Sequence, residues 1–162
     1  MDDHVTFDTA DADAPVEPRD LLELERQVCF ALAVASRSVI AVYRPLLEPL
    51  RLTHPQYLVM LALWQYAPLS VTELSHRLQL EPATLSPLLK RLEAVGYLRR
   101  ERVVGNERAL RLSLTAEGTA LRERALAIPE AVMARLQITL AEAEHLNAFL
   151  TDVITRAKRA QA

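Results

Sequence analysis

The stretch Leu69–Gly118 reads LSVTELSHRLQLEPATLSPLLKRLEAVGYLRRERVVGNERALRLSLTAEG. It changes period twice. Ser70 and Glu73 form a capping box ahead of a short helix through ELSHRL. After a tight connection, Leu85, Leu88, Leu89 and Leu92 recur at helical spacing and predict an inward face. Thr84, Ser86, Pro87, Lys90 and Arg91 are left on or beside the outward side. From Leu98 onward the pattern alternates: Leu110, Leu112 and Leu114 share one face and Arg111 takes the other. Gly105-Asn106 can supply the positive φ of a tight turn, so the segment reads as a hairpin with arginines projecting outward.

Short helix, second helix, arginine-bearing hairpin is an order suited to duplex DNA. Small hydroxyls near the start of a helix can touch base edges or phosphates, and Lys90 and Arg91 can neutralise backbone charge. An ordinary amphipathic helix with a solvated basic face is the competing reading. Arg99, Arg100, Arg102, Arg108 and Arg111 on the adjacent hairpin favour nucleic acid. Pro87 leaves two options open: a helix starting there under a Ser86 cap, or an earlier helix that tolerates a kink.

The charge distribution supports this reading. The net charge of −2 over 162 residues hides a span, 71–111, with eight Lys/Arg against five acids. Residues 1–19 are acidic, carry two prolines and have few apolar anchors, as expected of a mobile tail. Leu and Ala dominate and Gly is scarce, which favours helices in a single domain over 20–162. One helix is expected from near Asp20 to about Tyr43, broken by Pro45 and Pro49. Further capping boxes at Thr53–Gln56 and Thr139–Glu142 open two more. Tyr57, Trp64 and Tyr66 lie on an apolar helix and read as core. No apolar run is expected to reach bilayer length, and no secretory signal is recognisable, so the expected location is cytoplasmic. His4, His54, His76 and His145 lack metal-ligand spacing, and no cofactor motif is seen.

The lone cysteine, Cys29, sits in QVCFALAVASRSVIAVYRPLLEPL. By composition alone it reads as a small core residue.

The Leu69–Gly118 stretch resembles the winged helix-turn-helix of MarR-type transcription regulators. LERQVCFALAVASRSVIAVYRPLLEPLRLTHPQYLVMLALW, residues 24–64, resembles the organic hydroperoxide resistance regulators among them, of one-cysteine type. The resemblance covers about Leu21 to Pro129. It implies a mainly α fold with a small β-hairpin wing, and a homodimer on a pseudo-palindromic operator. Residues 20–50 and 115–162 would supply dimerisation helices and 53–114 the winged helix-turn-helix. Thr84, Ser86, Pro87, Lys90 and Arg91 match the recognition-helix face, and Arg108 matches the wing arginine placed in the minor groove. Asn106 stands where an acid normally precedes that arginine by two residues.

The resemblance also recasts Cys29. QVCFAL aligns it with the reactive cysteine of those regulators, which a hydroperoxide oxidises to sulfenic acid. Tyrosines across the dimer surround that thiol; Tyr43 stands at one such position. His54 replaces another in LTHPQY, and Ala33 replaces a third. Two accounts follow: a donating or protonated His54 preserves a peroxide-sensing repressor, or the opened pocket binds a small molecule such as an aromatic acid. A thiol peroxidase enzyme is disfavoured, because there is no second cysteine to resolve an intermediate.

Overall fold

The computed structural model describes residues 20–103 and 106–161, with backbone alone for 20, 103 and 106–109. The expected tail over 1–19 and the Gly105 turn position lie outside the described residues. The chain divides into two compact units, one ending at Val39 and the other beginning at Ile40.

Among the described residues, seven α-helices and three strands follow in order. They are α1 (Val28–Leu47), α2 (His54–Tyr66), β1 (Leu69–Ser70), α3 (Val71–Leu78), α4 (Pro82–Val95), β2 (Leu98–Val103), β3 (Asn106–Leu114), α5 (Ala116–Ala125), α6 (Ile128–Leu136) and α7 (Leu140–Ala160).

The first helix departs from expectation at both ends. Asp20–Leu22 and Leu24–Arg26 are single 3-10 turns, and α1 begins only at Val28. Pro45 lies inside α1, close to its C-terminus. A proline there loses one bond to the preceding turn without ending the helix. Pro49 falls instead in the 3-10 turn Glu48–Leu50. Because α1 runs through Pro45, Val28–Leu50 is long and apolar enough, by length and composition, to cross a membrane. That corrects the expected lack of such a run; Arg37 and Arg44 punctuate it.

All three capping boxes form. The Thr53 N–H donates to Gln56 Oε1 at 2.8 Å, Ser70 N–H to Glu73 Oε2 at 2.7 Å, and Thr139 N–H to Glu142 Oε2 at 2.7 Å. Each satisfies an amide that the first turn would otherwise leave open. The bonds from Ser70 hold the Glu73 carboxyl below its ordinary range, and those from Thr139 do the same for Glu142.

The strand order is β1-β3-β2, all antiparallel. β1 is only two residues long, Leu69 opposite Leu112 and Ser70 opposite Arg111, too short for any periodic signal. The core of the second unit gathers Leu47 and Leu50, Val59, Met60 and Leu63 of α2, Leu74 of α3, and Leu85, Leu89 and Leu92 of α4. Leu121, Ala125, Ile128 and Val132 of α5 and α6 join the same core. Burying a leucine this fully contributes about 2 kcal/mol. Tyr57 is core as expected and Trp64 is partly buried against it, but Tyr66 is 41% exposed. The Arg77 guanidinium stacks 3.6 Å from the centroid of the Tyr66 ring, a cation–π contact at the surface.

Candidate functional site

The helix-turn-helix is assembled by two end-caps. α3 stops at Gln79, whose φ of 54° turns the chain towards α4. α4 starts at Pro82 in the first turn, where its missing N–H costs nothing, and ends at Gly96 with φ 89°. Pro87 therefore lies inside the helix, and Ser86 does not cap it. Leu85, Leu89 and Leu92 are buried, which fixes the helix's rotation and leaves Thr84, Ser86, Pro87, Lys90 and Arg91 all exposed. Two cations one to two helical turns from two hydroxyls make a face that can grip phosphates and reach base edges.

The wing is less uniform than its sequence implies. In the β2–β3 register Arg100 stands opposite Leu112 and Arg102 opposite Leu110. Cross-strand partners share a face, so these two arginines lie on the leucine side and not the outer one. Arg100 Nε is 3.2 Å from Glu93 Oε2, and its backbone N–H donates to Glu93 Oε1 at 3.3 Å, which clamps the wing to the end of α4. Arg99 Nε pairs with Glu101 Oε1 at 2.6 Å on the outer face. Arg102 and Arg111 make no ion pair among the described residues. The leucine face also thins along the strand: Leu112 is fully buried, whereas Leu110 is 39% exposed. The Arg108 side chain lies outside what is described.

The sensing candidates fall in both units. Cys29 is exposed on α1, in the unit ending at Val39. Tyr43 and His54 belong to the other unit and meet there edge to face, centroids 5.2 Å apart. The contact continues to Tyr57, 6.0 Å from Tyr43, and to Trp64, 6.4 Å from Tyr57. Burial pushes the His54 imidazole below its ordinary value, which favours the neutral ring. The neutral ring can still serve as a hydrogen-bond donor. Burial also pushes the Tyr43 and Tyr57 phenols up, so both stay protonated donors near neutral pH. His54 lines a cavity of about 570 Å³ with Ile40, Arg44, Arg51, Leu52 and Pro55. Among the described residues no cluster of three His, Cys, Asp or Glu could hold a metal.

Two hydrogen bonds important to the architecture escape sequence reading. The Tyr97 hydroxyl donates to the Leu50 carbonyl at 3.0 Å, and the Trp64 indole N–H donates to the Gly118 carbonyl at 2.8 Å. These bonds span 47 and 54 residues of chain, and no local pattern announces them.

Known proteins share this arrangement. The MarR family model matches residues 52–110, from just before α2 into β3. Over 114 residues the chain is 41% identical to the organic hydroperoxide resistance transcriptional regulator of Bacillus subtilis (strain 168), covering 70% of this chain and 78% of that one. It is 35% identical over 133 residues to the HTH-type transcriptional regulator SarZ of Staphylococcus saprophyticus, covering 82% and 91%. Reduced AbfR bound to DNA, from Staphylococcus epidermidis, superposes with a TM-score of 0.75 at 31% identity, covering 86% of this chain and 95% of that one. With its exposed basic helix, hairpin wing and these relatives, the chain belongs to the MarR family and is a DNA-binding transcription regulator, not an enzyme.

Proposed function

We propose that the protein is a homodimeric repressor that releases its operator when an organic hydroperoxide oxidises Cys29. The observation that carries this reading is an exposed thiol in the QVCFAL run of α1, in a chain whose relative at 41% identity is an organic hydroperoxide resistance regulator. In the sensing step the Cys29 thiolate attacks the outer peroxide oxygen and the O–O bond breaks. Sulfur is oxidised to sulfenic acid, and the alkoxide leaves and takes a proton to become an alcohol. Tyr43 and His54 of a partner subunit serve as donors to the sulfur in this reading; hydrogen bonds to the charged form favour the thiolate.

Dimerisation is supported by what the single chain leaves uncovered. α7 buries none of its residues, and Leu146 and Phe149, one turn apart, stay 51% and 60% exposed. Two recognition helices related by a two-fold axis call for a pseudo-palindromic site, with half-sites roughly 10 bp apart. In such a dimer Thr84, Ser86, Pro87, Lys90 and Arg91 enter the major groove, and the wing that bears Arg108 follows the neighbouring minor groove. Oxidation acts only by stabilising one dimer shape over another.

The experiment is operator binding by reduced protein, repeated after stoichiometric organic hydroperoxide, with the mass of Cys29 followed in parallel. Cys29→Ser should bind as wild type does and ignore the oxidant. Release of the serine variant by hydroperoxide overturns the assignment.

A second reading has its own support. Tyr57, Leu61, Trp64, Arg122, Ala125 and Leu126 line a cavity of about 380 Å³ with aromatic walls and one cation. Such a lining suits gating by a small aromatic acid. A thermal shift with such an acid, with Cys29 unmodified, favours this reading over oxidation.

A further inference from the structure

Two long-range hydrogen bonds converge on the 3-10 turn Glu48–Leu50 that follows α1. The Tyr97 hydroxyl, only 3% exposed, donates to the Leu50 carbonyl at 3.0 Å. From α5, Arg124 Nη2 donates to the neighbouring Pro49 carbonyl at 2.7 Å.

Tyr97 is also where the recognition helix ends. Its N–H donates to the Leu92 carbonyl at 3.0 Å, and its own carbonyl accepts from the Thr115 N–H at 3.2 Å. One buried residue therefore ties three things together: the C-terminus of α4, Thr115 just after the last strand of the wing, and the turn after α1. On the far side of that turn Arg51 sits in the left-handed region at φ 56°, a conformation that non-glycine residues keep only when their surroundings hold it. Thr53 caps α2 two residues later, and His54 follows, edge-on to Tyr43. Phenylalanine would fill almost the same volume as Tyr97. The hydroxyl's distinctive contribution is to fix where Leu50 stands relative to α4.

We infer that Tyr97, supported by Arg124, is the positioning residue that couples the Tyr43–His54 pair to the recognition helix. The inference rests on the reading that this pair takes part in sensing oxidation of Cys29. A change that rotates Tyr43 or displaces His54 pulls on a turn held to α4 by one directional bond, so it alters the angle at which α4 is presented. Coupling of this kind needs an element whose arrangement both sites bias. The turn is placed to be that element, since the sensing pair lies on its two flanking helices and Tyr97, just beyond the end of α4, is bonded to its carbonyl.

The test uses full-length protein and a duplex selected from a random pool with reduced wild type. Binding is measured by fluorescence anisotropy before and after stoichiometric cumene hydroperoxide, with intact mass reporting the state of Cys29. Oxidised wild type should bind at least about tenfold more weakly, within the usual span of coupling between sites. Tyr97→Phe should keep reduced-state binding within about threefold and oxidise Cys29 to the same extent, yet weaken by less than about threefold on oxidation. Arg124→Met should give an intermediate response. A Tyr97→Phe protein that releases its operator as fully as wild type overturns the coupling role alone. Wild type that is oxidised at Cys29 without any fall in affinity overturns the sensing reading, and the coupling with it. Should Tyr97→Phe fail to fold, Arg124→Met decides, and a full wild-type response from it overturns the inference.

Discussion

A β-carbon on Gly118 would stand far inside van der Waals contact distance of the Tyr97 carbonyl oxygen, so α5 lies directly against the backbone at the start of the wing. The close approach also presents the Gly118 carbonyl to the Trp64 indole at 2.8 Å. Gly118→Ala forces a β-carbon against the Tyr97 backbone, where no side chain can swing aside. The expected destabilisation is about 3 kcal/mol, at the upper end of overpacking. Urea unfolding followed by fluorescence of Trp64, the only tryptophan, measures it. An unchanged midpoint would show that α5 shifts at little cost.

Lys90 and Arg91 are exposed side by side on α4, whereas Arg100 is held against Glu93. A cation that neutralises one phosphate contributes about 0.9 to the slope of log K against log salt, and a symmetric dimer presents each cation twice. Lys90→Ala and Arg91→Ala should therefore each flatten the slope by about 2. Arg100→Ala should leave the slope near the wild-type value and act through the position of the wing. Equal slopes for all three variants would remove Lys90 and Arg91 from the phosphate-gripping set.

The depressed pKa of His54 gives a pH signature. Between its folded value and the ordinary 6.5, the unfolded chain binds the proton and the folded chain does not. Stability therefore rises with pH through that window and falls as the medium is acidified below about 6.5. Glu73 and Glu142 act further down: their lowered values confer stability above the ordinary carboxylate range, and acid removes it as they protonate. In thermal melts, His54→Gln should flatten the curve just below about pH 6.5 and leave the fall below about pH 4.5 intact. A wild-type slope in His54→Gln would place that titration on another group.

The helical framework is legible in the sequence because its signals are local. Three capping boxes, the leucines of α4 and the alternation of β3 each lie within a few residues, and each sets one element. The exposed face of α4 follows from the same leucines, so Thr84, Ser86, Pro87, Lys90 and Arg91 can be named from the pattern alone. What local patterns cannot show depends on partners far along the chain. β1 exists only because β3 offers it two residues of edge. Arg100 looks like every other wing arginine until Glu93 is seen beside it. Nothing in the sequence near Tyr97 singles it out, and only the fold brings the Leu50 carbonyl to its hydroxyl. Leu24 fits the helical stripe and so suggests too early a start for α1, although residues 20–26 take tighter turns.

The uncovered stripe on α7 gives the proposed dimer its own test. Phe149 is 60% exposed in the single chain, and Leu146, one turn away, is 51% exposed. Contiguous apolar surface of this kind marks an interaction site, and burying one phenylalanine is worth about 2–3 kcal/mol to an association. Phe149→Asp removes that contribution and sets a charge where a partner helix would have to desolvate it. The folded subunit should survive, because Phe149 lies outside the buried core. Sedimentation should then show a substantial shift from dimer to monomer at micromolar concentration, while circular dichroism keeps its helical signal. Operator affinity should fall at least about a hundredfold, since a lone subunit reaches one half-site and forgoes the gain from linking two. A Phe149→Asp protein that remains dimeric and grips its operator at wild-type strength would move the subunit contact away from α7.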